Sequence, residues 1–211
     1  MRNFSHECRL PRFPLAASKR RTALLAAGAA VAALTLSACS SGGTSGGGNN
    51  TNFVTNSGGI STVDKGERRD APKLDGKDLE GKALDLADYK GKVIVLNVWG
   101  SWCPPCRAEA NYFAKVANET KGKDVQFIGI NTRDPQTEPA LQFEKDHNIP
   151  YPSFYDPSGK LMLRFEKGTL NPQSIPSTLV IDRDGKIAAR SLRALSEDKL
   201  RKMVDPVIAE K

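Results

Sequence analysis

The sequence predicts an α/β domain: a mixed central sheet flanked by helices, preceded by a β-hairpin and interrupted by an inserted helical segment. Three observations carry that expectation. Two continuous apolar runs, Val93–Val98 and Val125–Ile130, read as buried strands. A helical pattern from Pro104 to about Thr120 lies between them, which makes a βαβ unit. The second half instead carries two short strand-like runs, Thr178–Ile181 and Lys186–Ala189, joined at Arg183-Asp184-Gly185, where Asp-Gly supports a tight hairpin.

The other elements follow in order. Leu74–Leu86 alternates apolar positions about Glu80-Gly81 and reads as the N-terminal hairpin. Pro139–His147 places Ala140, Leu141, Phe143 and Glu144 at helical spacing, the inserted segment. Asp156-Pro157-Ser158-Gly159 reads as a turn, and Lys160–Phe165 as a short helix or strand. Ser196 is placed to cap a last helix whose first turn carries Glu197 and Asp198, matching the helix dipole.

The N-terminal portion has another purpose. Residues 1–38 join a basic stretch (Arg2, Arg9, Arg12, Lys19, Arg20, Arg21, against Glu7) to an uncharged Ala/Leu-rich run, 23–36. That is the layout of a secretory signal, and the run is short for a bilayer-spanning helix of about 20 residues. Six basic residues and one acidic one put +5 of the chain's +7 in this leader, leaving about +2 for the rest. The basic excess therefore serves export, and nucleic acid is not an expected partner. Arg20-Arg21 matches a twin-arginine signal poorly, and the stretch before Lys19 leaves room for a later translation start.

Leu36-Ser37-Ala38-Cys39 resembles a bacterial lipobox, which implies cleavage before Cys39 and lipidation of its sulfur. Two acyl chains would hold the protein on a membrane. An uncleaved anchor and a soluble secreted product are the alternatives. Residues 39–66 then read as a flexible tether: Ser40–Ser61 is uncharged and rich in Ser, Gly, Thr and Asn, with Phe53, Val54 and Ile60 its only apolar side chains. A folded domain is expected over 67–211, long enough for a sound core.

The chemistry-bearing residues are Cys103 and Cys106, at the junction of the first buried strand and its helix. Exposed N–H groups at a helix N-terminus stabilise a thiolate. Pro104 or Pro105 suits the first helical position, whose N–H has no partner in any case. Cys106 sits one turn deeper and can close a small disulfide. The expectation is an exposed, nucleophilic Cys103 and a buried Cys106. A zinc knuckle is excluded by count: four cysteines and two histidines in the chain leave no second pair here and only His147 beyond the leader. A purely structural bridge is a weak alternative, because a cross-link closing so short a loop stabilises little.

On these residues, Trp102-Cys103-Pro104-Pro105-Cys106 after a strand resembles the active site of the thioredoxin superfamily. Asp88-Tyr89-Lys90-Gly91-Lys92-Val93, with Asn97 and Trp99-Gly100-Ser101-Trp102, resembles its TlpA/ResA-like branch of membrane-tethered extracytoplasmic thiol-disulfide oxidoreductases. The resemblance runs from about Ala71 to the C-terminal helix. It implies a thioredoxin-like fold and no cofactor beyond the redox-active disulfide Cys103–Cys106. It also implies a cis-proline at Pro176, within Ile175-Pro176-Ser177-Thr178, facing that disulfide and leaving the Ile175 backbone to pair with a substrate chain. Glu109 lies three residues after Cys106 on a similar helix face, able to take its proton or raise a thiol pKa. The same spacing matches a functional glutamate of the ResA-like proteins; a solvated surface residue is the alternative. Trp99 and Trp102 are expected to shield the disulfide, Trp102 also touching substrate. His147 reads as a capping or surface residue.

The function implied is reduction of substrate protein disulfides at the outer face of the cytoplasmic membrane. Reducing equivalents would come from a membrane donor of the CcdA/DsbD type, with apocytochrome c implied as substrate by kinship. A disulfide-forming oxidase of the same fold and a binding lipoprotein with a structural disulfide are the alternatives.

Overall fold

A computed structural model describes residues 51–210 of the chain. The expected signal (1–38), the lipidation site Cys39 and residues 40–50 lie outside the described residues. The elements run β1 (Val54–Thr55), β2 (Ile60–Thr62), β3 (Asp75–Lys77), β4 (Ala83–Asp85), β5 (Val93–Trp99), α1 (Pro104–Glu119), β6 (Val125–Thr132), α2 (Glu138–Asp146), β7 (Ser153–Asp156), β8 (Ser177–Ile181), β9 (Ile187–Ser191) and α3 (Glu197–Ala209). Short 3-10 turns occupy Leu86–Tyr89 and Met162–Arg164.

Seven strands form one sheet in the order β1-β2-β9-β8-β5-β6-β7. Strands β5, β6 and β7 pair in parallel, whereas β8 and β9 run antiparallel to their neighbours. The mixed sheet is therefore as the residues predicted. Every residue of β5 is buried, as a central strand covered on both faces requires. One face packs Leu96, Val98, Ile128, Ile130 and Phe154 against the hairpin region and the Met162–Arg164 turn. The other packs Val93, Val95, Phe113, Phe127 and Val204 against α1 and α3.

The hairpin β3–β4 forms its own two-stranded sheet and touches the main one through a bridge between Asp78 and Phe154. Gly81, at φ +83°, makes the turn a side chain would strain. The Ser196 cap is present, its hydroxyl oxygen accepting from the Lys199 N–H.

Two expectations are corrected. Residues 54–62 are not tether: β2 pairs antiparallel with β9, joining Ile60 to Ser191 and Thr62 to Ala189. Ile60 is buried beside Val180 and Leu195. The domain thus starts before residue 67. A polar run of low apolar content joins a sheet because β9 offers it a free edge, which composition does not reveal. Strand β7 also lies outside the expected elements. Only four residues long and preceded by Pro150 and Pro152, it has too little length for a periodic signal.

Candidate functional site

The site is assembled where β5 ends. Trp99-Gly100-Ser101-Trp102 leads from the strand into α1, and Pro at the first helical turn begins the helix directly after Cys103. Cys103 is the N-cap, at φ −93° and ψ 105°, and its Sγ accepts a hydrogen bond from the Cys106 N–H at 3.3 Å. A sulfur thus occupies the capping place usually held by Ser or Asp. Cys103 and Cys106 are joined as a disulfide, with Cα atoms 5.3 Å apart.

Both sulfur-bearing residues are buried, Cys103 at 1% exposure and Cys106 at 2%. The expected exposed Cys103 is corrected. Leu79, Trp99, Ala140 and Phe143 pack with the pair, and Ile175 closes over it. Trp99 stacks on Phe143 at 4.5 Å between ring centroids and donates its indole N–H to Ser153 Oγ. Trp99 is thus the shield, while Trp102 is 45% exposed, its indole N–H donating to the Thr132 carbonyl.

The Ile175–Pro176 peptide is cis, and the Ile175 carbonyl oxygen lies 3.8 Å from Cys103 Sγ. Two loops distant in sequence therefore meet at the sulfur.

Glu109 lies on the buried face of α1 with Cys106, Ala110 and Phe113, at 2% exposure. It is not a solvated residue. Asn97 Nδ2 donates to its Oε1 at 3.0 Å and the Leu195 N–H to its Oε2 at 2.8 Å. Burial pushes the carboxyl up from 4.5 to about 7, against the two donors, which favour the charged form. A small cavity of about 10 Å³ lies beside Cys106 and Asn97, walled by Trp99, Ala110, Phe143, Ile149 and Tyr151. It has room for at most one water.

A model of the Redoxin family matches residues 65–205. The chain belongs to the Redoxin family. The thiol-disulfide oxidoreductase ResA of a Bacillus cereus strain is 32% identical over 133 residues, which is 63% of this chain and 73% of that protein. The crystal structure of a DsbF homologue from Corynebacterium diphtheriae superposes with a TM-score of 0.67 at 35% identity, covering 75% of this chain and 99% of the other. A secreted thiol-disulfide isomerase from Corynebacterium glutamicum gives 0.68 at 29%, covering 75% and 97%. The fold is thioredoxin-like, the TlpA/ResA-like resemblance holds, and this Redoxin protein is a thiol-disulfide oxidoreductase.

Two residues of the Redoxin domain's site take no role from the sequence: Asn97, named only within the family resemblance, and Asp134. Asn97, a buried amide in an apolar strand, holds Glu109 and also reaches Thr178 Oγ1 at 3.3 Å. Its polarity inside Val93–Trp99 is the available signal. Asp134, 2% exposed, accepts from the Ser101 N–H, the Ser101 hydroxyl and Asn131 Nδ2, pinning the loop that presents Cys103. Nothing local distinguishes it from a turn aspartate. Arg107 donates to the Ser101 carbonyl at 2.7 Å and not to Glu109. His147 ends α2, its Nδ1 bonded to Asn111 Oδ1 at 2.9 Å. Among the described residues no group of His, Cys, Asp and Glu is placed to hold a metal. No helix among them is long and apolar enough to cross a membrane.

Proposed function

We propose that this protein reduces disulfides of substrate proteins outside the cytoplasmic membrane, tethered by a lipid on Cys39. The observation that carries the chemistry is the Cys103–Cys106 disulfide at the N-terminus of α1, with the Ile175 carbonyl of the cis peptide facing Cys103. In the reduced state the Cys103 thiolate, held by the Cys106 N–H and the positive end of the helix, attacks one sulfur of a substrate disulfide. That S–S bond breaks, a mixed disulfide forms and the first substrate thiolate leaves. Glu109 takes the proton of Cys106. The Cys106 thiolate then attacks Cys103 Sγ, forming the internal disulfide and releasing the second substrate thiolate. Two electrons pass to the substrate, and the Cys pair is their carrier.

Ile175 offers backbone to an incoming chain as an added strand, and Trp102 its exposed ring. Similarity to the thiol-disulfide oxidoreductase ResA supports the chemistry, and similarity to a secreted thiol-disulfide isomerase supports an extracytoplasmic site. Apocytochrome c as substrate and re-reduction by a CcdA/DsbD-type membrane donor are what the TlpA/ResA-like resemblance implies. The likeness to the secreted thiol-disulfide isomerase of Corynebacterium glutamicum favours a second reading, in which the same pair runs toward disulfide formation or exchange.

The test is trapping in cells with Cys106→Ser. A mixed disulfide between Cys103 and partner proteins is expected, and it must vanish with Cys103→Ser. Equal disulfide reduction by wild type and Cys103→Ser would overturn the mechanism. Equilibration with glutathione buffers sets the direction: a potential near that of strong oxidants would overturn the reductase reading in favour of the second.

A further inference from the structure

Among the described residues, the mouth of the site carries two guanidinium groups with no carboxylate partner. Arg133 follows β6 in the left-handed region, at φ +59°, a conformation a non-glycine residue seldom adopts. It is exposed, and its guanidinium sits over the ring of Trp102, 5.7 Å from the centroid. Its Nη2 donates to the Pro172 carbonyl at 2.6 Å. Arg133 therefore bridges the Trp102 loop and the segment that leads into the Ile175–Pro176 peptide, the two loops that flank Cys103. Arg107, also exposed, lies over Phe143 and donates to the Ser101 carbonyl.

Elsewhere in the described chain Arg68, Arg69, Arg164 and Arg201 each face a carboxylate within 4 Å. Arg183 and Arg190 donate to backbone carbonyls, and Arg190, half-buried, also lies over Phe53. Arg133 and Arg107 likewise have carbonyl and aromatic partners, but both are exposed and lie beside the loops that flank Cys103. The two acidic groups close by are turned inward: Asp134 toward Ser101 and Asn131, Glu109 toward Asn97 and Leu195. A guanidinium has five N–H donors in a planar fork that matches a carboxylate. One of them on Arg133 is held by Pro172, and the fork lies beside an exposed indole face.

We propose that Arg133, stacked on Trp102, reads a carboxylate next to the target cysteine, so that the preferred substrate segment is acidic. This inference rests on the proposed function and adds the chemistry of the substrate to it. A charge pair about 4 Å apart in a water-like medium interacts by about 1 kcal/mol, a factor of roughly five in rate. Replacing an attracted flank by a repelled one widens the contrast to roughly ten-fold or more, and salt narrows it.

The probes are three short peptides, each with one cysteine joined by a disulfide to β-mercaptoethanol. The flanks are two Glu, two Gln or two Lys. The full-length reduced protein is mixed with each at low and at high salt, and the second-order rate is read. The Glu peptide is expected to react roughly ten-fold faster than the Lys peptide at low salt, with the gap closing at high salt. In Arg133→Gln the Glu-to-Lys ratio falls toward one, and in Arg133→Glu it inverts. Arg133→Lys keeps part of it. The ratio is taken within each variant, so partial misfolding does not mimic the result. Equal rates on all three peptides in the wild type, or a ratio that Arg133→Gln leaves unmoved, would overturn the inference alone. Failure to reduce any of the three would instead strike the proposed function beneath it.

Discussion

Replacing Glu109 by Gln should change how stability depends on pH. The carboxyl is held near pH 7 in the folded protein, against an ordinary 4.5, and burial is the cause. Below pH 4.5 the group is protonated in both folded and unfolded chains, and its environment imposes no charge penalty. Between about 4.5 and 7 the unfolded chain has lost the proton that the folded one keeps. Stability therefore falls as pH rises, by about 1.4 kcal/mol per pH unit. Above pH 7 the full cost, roughly 3 kcal/mol, is reached. Glutamine cannot ionise, so this slope disappears in the variant. Its amide keeps the acceptor for Asn97 Nδ2 but turns an NH₂ toward the Leu195 N–H, which leaves a buried donor unpaired and costs about 1–3 kcal/mol at every pH. The two effects oppose each other: Glu109→Gln should be the less stable protein at pH 5 and should draw level with or overtake the wild type by pH 8. Glu144, also raised to about 7 by burial, adds its own slope to both proteins, and the difference between them cancels it. The assay is urea unfolding of the oxidised protein at half-unit steps from pH 5 to 8. Parallel stability curves for the two proteins would refute a buried Glu109 carboxyl that keeps its proton up to about pH 7 and ionises above it.

Other substitutions test the frame around the disulfide. Asp134→Asn faces an NH₂ toward the Ser101 N–H or Asn131, and should lower stability by about 1–3 kcal/mol in denaturant melts while altering the reduction potential of the pair. Gly129→Ala would drive a methyl group into Ser153 and to within 2.7 Å of Trp99 Nε1, costing about 1–3 kcal/mol in a thermal melt. Arg68→Ala leaves Asp182, 5% exposed, without its partner and frees Glu210. A loss of about 3–5 kcal/mol in urea is expected, and a change below 1 kcal/mol would contradict a buried role for that pair.

How far residue patterns reach is visible strand by strand. Val93–Trp99 and Val125–Thr132 are dominated by apolar residues, so they announce burial without reference to anything else. β1, β2 and β7 carry no such mark, because their place depends on backbone edges offered by β2, β9 and β6 in turn. The same division holds in the site. Cys103, Cys106 and the proline turn form one local unit, legible as a helix start. Glu109 follows by helical spacing, but its burial does not, since its walls come from β5 and the segment before α3.

By itself the sequence determined the α/β class, from the order of its apolar runs, and the thiol pair at a helix N-terminus, from spacing within a few residues; the cis-proline candidate rests on the family resemblance. Tertiary structure alone decided that Cys103 is covered, that Asn97 and Leu195 clasp Glu109 and that Asp134 holds the active loop. It also decided that Arg133 spans two loops. These contacts join residues from 12 to 86 positions apart for Glu109, 33 for the Ser101–Asp134 pair and 39 for Arg133 with Pro172. No local pattern encodes partners at such separations; only the packing of β5, α1 and the loops at the end of the sheet brings them together.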